Sequence, residues 1–411
     1  MPVTRREFVA ALGALPLISA RGREAFEALS SRAPHDVIPS AARNLQLLSQ
    51  GIADRKADRR MAAQPGMVRI DSNENPLGPG ARVYAAIRRH LDESNRYPVL
   101  AEDDLIALIA RKHSVAPENV ILGCGSGELL RAADHAFTSK DAGYVGAAPT
   151  FEAPGEFARF LGAPVTLVPV DRSLGLDLDA MGAAARGAGL VYLCNPNNPT
   201  ASVHSRADVV SFIEAINRAS PSTVVLVDEA YFEYVSSPAY GSVADVAATN
   251  PRVVVLRTFS KVYGMAGLRA GYAVGRPEVV AKMKSWTLGS NVTQLTLVAA
   301  QAALEDTANT AAEVRRNLAV KAFTKKFFAD AGFSMSAGDA NFVMVDIRRD
   351  AAAFKSQCVR RGVAVGRAFP ALPTHARITY GTMPEMKKAT ALFRELLVDA
   401  PRAAGTGRTG P

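Results

Sequence analysis

The feature that most limits what this chain can fold into is an alternation that begins near residue 67. Short runs of β-branched and other apolar residues, "NVILG", "AGYVG", "PVTLVPV", "LVYLC", "TVVLVD", "RVVVLR" and "AGYAVG", are separated by segments of helix length. Strands that are apolar at nearly every position are covered on both faces, and strands spaced by helices form mostly parallel sheets. An α/β domain is therefore expected. After about residue 305 the texture changes. A long helical stretch, "TAAEVRRNLAVKAFTKKFFADAG", is followed by the strands "NFVMVDI" and "ARITYGT" and a closing helix, which reads as a smaller α+β unit.

The two ends read differently. "TRREFVAALGALPLISA" sets Arg5 and Arg6 before a short apolar stretch with no charged face, the layout of an export signal of the twin-arginine kind. The expected signal covers residues 1–20; "ISA" ending at Ala20 fits a cleavage site only loosely, so retention as an anchor stays open. Residues 21–66 are charged and Ala-rich, interrupted by Pro34, Pro39 and Pro65, and read as an arm or linker. Residues 401–411, "PRAAGTGRTGP", have the composition of a disordered tail. The expected division is a large domain over 96–300 and a small domain formed by 67–95 with 301–400.

Charge says little about partners. The net charge is +9, but residues 1–60 contribute +4 and Arg402 and Arg408 contribute +2, which leaves +3 for the body. That is no footprint for a nucleic acid. No run of eighteen apolar residues occurs, so no membrane span is expected apart from the signal segment. Cys124, Cys194 and Cys358 are too few and too scattered for a zinc site or a disulfide framework, and each is expected to be a buried structural thiol. No metal is expected.

In an open α/β sheet, ligands gather beyond the carboxyl ends of the strands. Four polar groups follow such ends: "CGSGELL" after "VILG", "NPNNPT" after "LVYLC", Asp228 at the end of "VVLVD", and Ser260-Lys261 after "VVVLRT". Each alone admits a plainer use. The glycine turn can hold a dinucleotide, a phosphate or nothing, although free N–H groups and the helix dipole favour an anion. Asp228 can cap a helix, "NPNNPT" can be a tight turn, and Lys261 can be a surface lysine.

Together, "NPNNPT", "DEAYFEY", "TFSKVYGMAGLRAGY" and "RITYGT", in that order and spacing, resemble the fold-type-I pyridoxal-phosphate aminotransferases. With "DSNENPLGPG" and "NRYPV" the resemblance is to the histidinol-phosphate aminotransferase-like branch, over roughly residues 67–398. It implies a large domain with a mostly parallel seven-stranded sheet, pyridoxal phosphate as cofactor, and a homodimer with shared sites. It assigns Lys261 to the Schiff base with the cofactor aldehyde and Asp228 to the protonated pyridine nitrogen. Asn198 and Tyr231 fall to the phenolic oxygen, and Phe151 to the stacking position on the ring. The phosphate falls to Arg269, Thr258 and the N–H groups of Gly125, Ser126 and Gly127, joined by Tyr97 of a second subunit. Arg377 is the expected receptor of the substrate α-carboxylate, an arginine fork suited to a bidentate pair.

The implied reaction is a two-stage, ping-pong transfer of an amino group to a 2-oxo acid. Arg367, in "VGRAFP", is a candidate for a substrate phosphate, a side-chain carboxylate or a surface ion pair. The run "GRAFPALPTH" suggests a specificity other than histidinol phosphate, and an export signal fits poorly with a cytoplasmic biosynthetic role. Histidinol-phosphate transamination proper, or another reaction on the same scaffold such as decarboxylation or elimination, stands as the alternative. A regulatory protein of this fold would carry a helix-turn-helix domain, for which residues 1–66 are too short and too poorly patterned.

Overall fold

The computed structural model describes residues 64–399. The expected export signal, nearly all of the arm and the C-terminal tail lie outside the described residues. In chain order the strands are β1 (Val68–Ile70), β2 (Val120–Gly123), β3 (Gly143–Ala148), β4 (Val165–Pro169), β5 (Ala188–Cys194) and β6 (Val224–Asp228). They continue with β7 (Val253–Thr258), β8 (Gly271–Gly275), β9 (Ser334–Met335), β10 (Phe342–Asp346), β11 (Val363–Val365) and β12 (His375–Thr379). The helices are α1 (Ala81–Arg89), α2 (Val99–His113), α3 (Ser126–Phe137), α4 (Ala153–Phe160), α5 (Leu178–Ala184) and α6 (Arg206–Ala219). After them come α7 (Ala244–Thr249), α8 (Pro277–Lys284), α9 (Gln294–Glu305), α10 (Thr307–Asp330), α11 (Ala351–Arg360) and α12 (Met383–Phe393).

The seven apolar runs become one seven-stranded sheet in the order β2-β8-β7-β6-β5-β3-β4. All its neighbours are parallel except β8, which runs antiparallel to both β7 and β2. Every residue of β5, β6 and β7 is buried, and the period of two explains why. Val191, Leu193, Val225, Val227, Val253 and Val255 pack on one face with Leu105 and Ile109 of α2, Ile213 of α6 and Leu297 of α9. Leu190, Tyr192, Leu226, Val254 and Leu256 pack on the other, with Leu129 of α3, Ala158 of α4 and Met283 of α8. Each strand has an apolar partner layer on both sides, so it cannot show the alternation of a half-exposed strand.

A third core is separate. Val68 and Ile70 of β1, Val343 and Val345 of β10, Ile378 of β12, Phe328 of α10 and Phe393 of α12 form it. Here β12, β10 and β9 make an antiparallel sheet, and β1 pairs in parallel with β11, so the chain just after residue 67 is tied to its C-terminal third. The helices begin on local signals. Ser205 and Asp208 form a capping box on α6, Thr382 and Glu385 form another on α12, and Thr293 caps α9. Among the described residues no helix is long and apolar enough to cross a membrane. One expectation fails: Cys194 and Cys358 are buried, but Cys124 is exposed. It sits in the glycine turn after β2, beyond the last strand residue that the core covers.

Candidate active site

The parallel strands bring their carboxyl ends to one edge, and β8 explains how Arg269 reaches it. Because β8 is antiparallel, its first residue, Gly271, pairs with Thr258 at the end of β7 and with Gly123 at the end of β2. The segment from Phe259 to Ala270 leaves this edge on one strand and returns to it on the next. Lys261 stands near its start and Arg269 near its end, which accounts for their interval of eight.

Around Arg269 the backbone forms a cup. Arg269 has φ +63°. Its Nη1 donates to the Ala266 carbonyl at 2.9 Å and lies 3.4 Å from Ser260 Oγ. Its guanidinium lies against Gly125 so closely that a Cβ there would fall 2.2 Å from Nη2. Gly125 has φ +75° and precedes α3, whose first residues, Ser126 and Gly127, carry N–H groups that have no partner within the helix. A second close approach, a Cβ at Gly271 falling 2.5 Å from Ser126 N, seats the helix on the strand. Glu128 fixes the rim by accepting from the Cys124 N–H and from Asn291 Nδ2, both at 2.6 Å.

At the other end stands Asp228, 4% exposed. Tyr192 Oη donates to its Oδ2 at 2.8 Å and the Ala230 N–H to its Oδ1 at 3.1 Å. Burial raises its proton affinity, to a pKa of about 6, against the opposing pull of the Tyr192 bond, the Ala230 N–H and the Lys261 charge. Lys261 Nζ sits 3.4 Å from the Ser72 carbonyl and 5.5 Å from the Tyr231 ring centre. Burial, then the Arg377 and Arg269 guanidinium groups, lower its pKa to about 8, although Glu74 and Asp228 oppose them.

Arg377, on β12, completes the edge from the other side. Its Nη1 donates to Asn198 Oδ1 at 2.7 Å and its Nη2 to the Asp71 carbonyl at 2.6 Å, while its buried Nε has no hydrogen-bond partner. Gly366 makes room for it, since a Cβ there would come within 3.2 Å of that Nε. Burial comes first in lowering its pKa to about 10, and the Arg367 charge adds to the effect.

Lys261, Asp228, Tyr231, Asn198, Thr258, Arg269, Arg377 and the Gly125-Ser126-Gly127 turn are thus gathered at one edge. Phe151 follows β3 at the same edge and is 37% exposed. Tyr97 is 87% exposed and not a core residue. Arg367 is paired with Glu152 and lies 4.1 Å from the Phe369 ring centre.

Three further residues were not singled out by the sequence reading. Asn73, inside "DSNENP", donates through Nδ2 to Tyr231 Oη at 3.0 Å. Tyr192 looked like one more apolar residue of "LVYLC", yet it shares its face with Asp228 two strand positions on. Glu152 lies beside the quoted Phe151, and its partner comes from 215 residues away.

The residues present fit pyridoxal phosphate. A buried carboxylate held only by neutral donors suits a cationic ring nitrogen, and an arginine-lined helix N-terminus suits a phosphate. A lysine of reduced proton affinity between them suits an aldehyde. Fold and edge place the molecule among the fold-type-I pyridoxal-phosphate enzymes.

Comparison with known proteins carries this to the family. The model for aminotransferase class I and II matches residues 65–392, and the chain belongs to that family. A histidinol-phosphate aminotransferase of Symbiobacterium thermophilum is 38% identical over 328 residues, 78% of this chain and 88% of that protein. An aromatic amino acid aminotransferase of Rhodococcus jostii is 35% identical over 300 residues, covering 73% and 82%. Among solved structures, the Sinorhizobium meliloti histidinol-phosphate aminotransferase in complex with pyridoxal-5'-phosphate superposes with a TM-score of 0.78. It is 27% identical and covers 84% of this chain and 94% of that one.

Proposed function

We propose that this aminotransferase moves an amino group between an amino acid and a 2-oxo acid, with pyridoxal phosphate held between Asp228 and the Arg269 cup and joined to Lys261. The observation that carries the assignment is the placement of Lys261 Nζ among Ser72, Tyr231 and Arg377, with a pKa lowered to about 8. When bound, the cofactor supplies an electron sink that stabilises negative charge at the substrate Cα. Everything else falls to the chain. Asp228 holds a proton on the ring nitrogen. Tyr231 and the amide NH2 of Asn198, whose carbonyl serves Arg377, donate to the ring oxygen. Arg269 and the first N–H groups of α3 fix the phosphate. Arg377 would take the substrate carboxylate, and Lys261 Nζ, a free amine once the substrate's amino group has taken its place, would carry the Cα proton. Because Arg377 belongs to β12 and Lys261 to the loop after β7, one bound substrate bridges the two sheets, which favours closure and the exclusion of water.

Mixing the holoenzyme with an amino acid should convert the aldehyde absorbance to that of the pyridoxamine form, and a 2-oxo acid should restore it. Lys261→Ala should do neither, and borohydride should fix a phosphopyridoxyl group at residue 261 of the native chain. Conversion by Lys261→Ala at the native rate would overturn the assignment.

The same proposal extends to assembly and place. Tyr97 is assigned to the phosphate of a second subunit, in a homodimer with shared sites, and the layout "TRREFVAALGALPLISA" supports export of the folded holoenzyme to the periplasm. Replacing Arg5 and Arg6 by lysine should keep the protein in the cytoplasm on cell fractionation; equal periplasmic amounts would remove that part.

A further inference from the structure

Two cations, not one, lie toward the substrate's anionic end. Phe369, in the loop between β11 and β12, has the Arg377 guanidinium carbon 5.6 Å and the Arg367 guanidinium carbon 4.1 Å from its ring centre. Arg377 is buried and anchored to Asn198 and Asp71. Arg367 is different: its Nη2 meets Glu152 Oε2, and each side chain is roughly two-fifths exposed. Glu152 immediately follows Phe151 and stands at the N-terminus of α4, where the helix dipole favours a carboxylate. Arg367 acts electrostatically on Arg377 in one direction and the Asp71 and Glu152 carboxylates in the other, so these charges share one neighbourhood, in which Glu152 is the carboxylate paired with Arg367.

The charge count then matters. Asp71 acts on Arg377 as Glu152 does and stays the same whatever binds; over that background Arg377 and Arg367 supply two cations, and Glu152 takes one positive charge away, which disfavours a phosphate monoester dianion more than a carboxylate. We infer that Glu152 is a specificity-determining residue that sets this subsite for the α-carboxylate of an amino acid and against the phosphate of a phosphorylated amino alcohol. The inference rests on the aminotransferase reading of the site and goes further by naming the substrate class. The exposed ion pair itself contributes little to stability, as such pairs do. Its effect is on what the neighbouring anion meets: Glu152 engages the Arg367 guanidinium, the second cation that a dianion beside Arg377 needs, whereas a monoanion is balanced by Arg377 alone.

The test uses two unreactive ligands that share a ring and differ in their anionic head, 3-phenylpropionate and 2-phenylethyl phosphate. Both are titrated calorimetrically against the holoenzyme at pH 8, where the phosphate is a dianion. The native protein should bind the carboxylate at least about tenfold more tightly. In Glu152→Gln the ratio should move toward the phosphate by at least about tenfold, and in the Glu152→Gln/Arg367→Gln double variant the shift should vanish, because the residue acts through Arg367. Circular dichroism and the cofactor absorbance establish that both variants are folded and loaded. A native preference for the phosphate, or a ratio in Glu152→Gln within about twofold of native, overturns the inference. If the ratios behave as stated but no amino acid converts the cofactor absorbance, the aminotransferase reading fails and the charge rule at this subsite stands.

Discussion

At the scale of single residues, the site is built from groups held away from their ordinary protonation. Lys261, with its pKa lowered to about 8, has a neutral amine available at mildly alkaline pH. Only that neutral amine attacks an aldehyde, so the rate at which the apoenzyme incorporates pyridoxal phosphate should rise with pH through about 8 and then level off. A rate still climbing above pH 10 would mean an ordinary lysine. The same depression has a stability consequence of fixed sign. Between about 8 and the ordinary lysine value of 10.5 the unfolded chain binds a proton that the folded chain has released, so this lysine makes apoenzyme stability rise with pH across that window. Asp228 depends on Tyr192, whose hydroxyl donates to it at 2.8 Å. A hydrogen bond to a charged group contributes about 1.5–3 kcal/mol. Tyr192→Phe should therefore weaken pyridoxal-phosphate binding by at least about tenfold, since about 1.4 kcal/mol is a factor of ten. Tyr144→Phe, which alters the ring stacked behind Tyr192, should leave it unchanged. Cofactor release followed by fluorescence measures both.

At the scale of elements, the cup depends on how closely β2, β8 and α3 approach one another. Gly125→Ala places a methyl group 2.2 Å from Arg269 Nη2 at a backbone φ of +75°, so it should displace the guanidinium and lower cofactor affinity by about tenfold or more. Gly162→Ala imposes a similar backbone strain, φ +77°, with nothing within 4 Å, and should lower the melting temperature without changing cofactor affinity. Equal affinities for the two variants would refute the role of the approach. The elements that carry this edge were legible in the sequence because β5, β6 and β7 are buried on both faces and read as unbroken apolar runs. The short strands β1, β9 and β11, with three, two and three residues, were not read as strands. A segment that short has no periodicity to read, and β1 is a strand only because β11, almost 300 positions away, pairs with it. The site divides in the same way. Lys261 and Arg269 lie on one returning loop and Asp228 ends a strand, so motif and spacing expose them. Asn73, Tyr192 and Glu152 act through partners that only the fold brings near, and no local pattern marks them.

At the scale of the whole molecule, six of the exposed apolar residues lie on two segments that a hydrogen bond joins. Leu91, Tyr97, Val99 and Leu100 are exposed on the segment that enters α2, and Trp286 and Leu288 on the loop before α9. Gln294 Nε2 donates to Glu93 Oε2 at 2.6 Å, which joins the two segments. Asn291, on the same loop, bonds Glu128 at the rim of the cup. The apolar surface therefore borders the proposed phosphate site, where a second copy would cover it and bring its own Tyr97 to the rim. The proposed sharing of sites makes a prediction that a self-sufficient monomer cannot meet. Lys261→Ala removes the amine from a chain's own site, and Tyr97→Ala removes a contact from its partner's site. Each variant alone should be nearly inactive when pyridoxal phosphate is limiting. In a dimer of one variant with the other, the chain carrying Tyr97→Ala retains Lys261 and receives an intact Tyr97, while the opposite site has lost both. Random exchange of equal amounts makes half of the dimers mixed, each with one good site of two, so about one quarter of native activity should return. Activity that stays at the sum of the two separate variants after subunit exchange, with exchange verified by mass, would show that Tyr97 does not serve the partner.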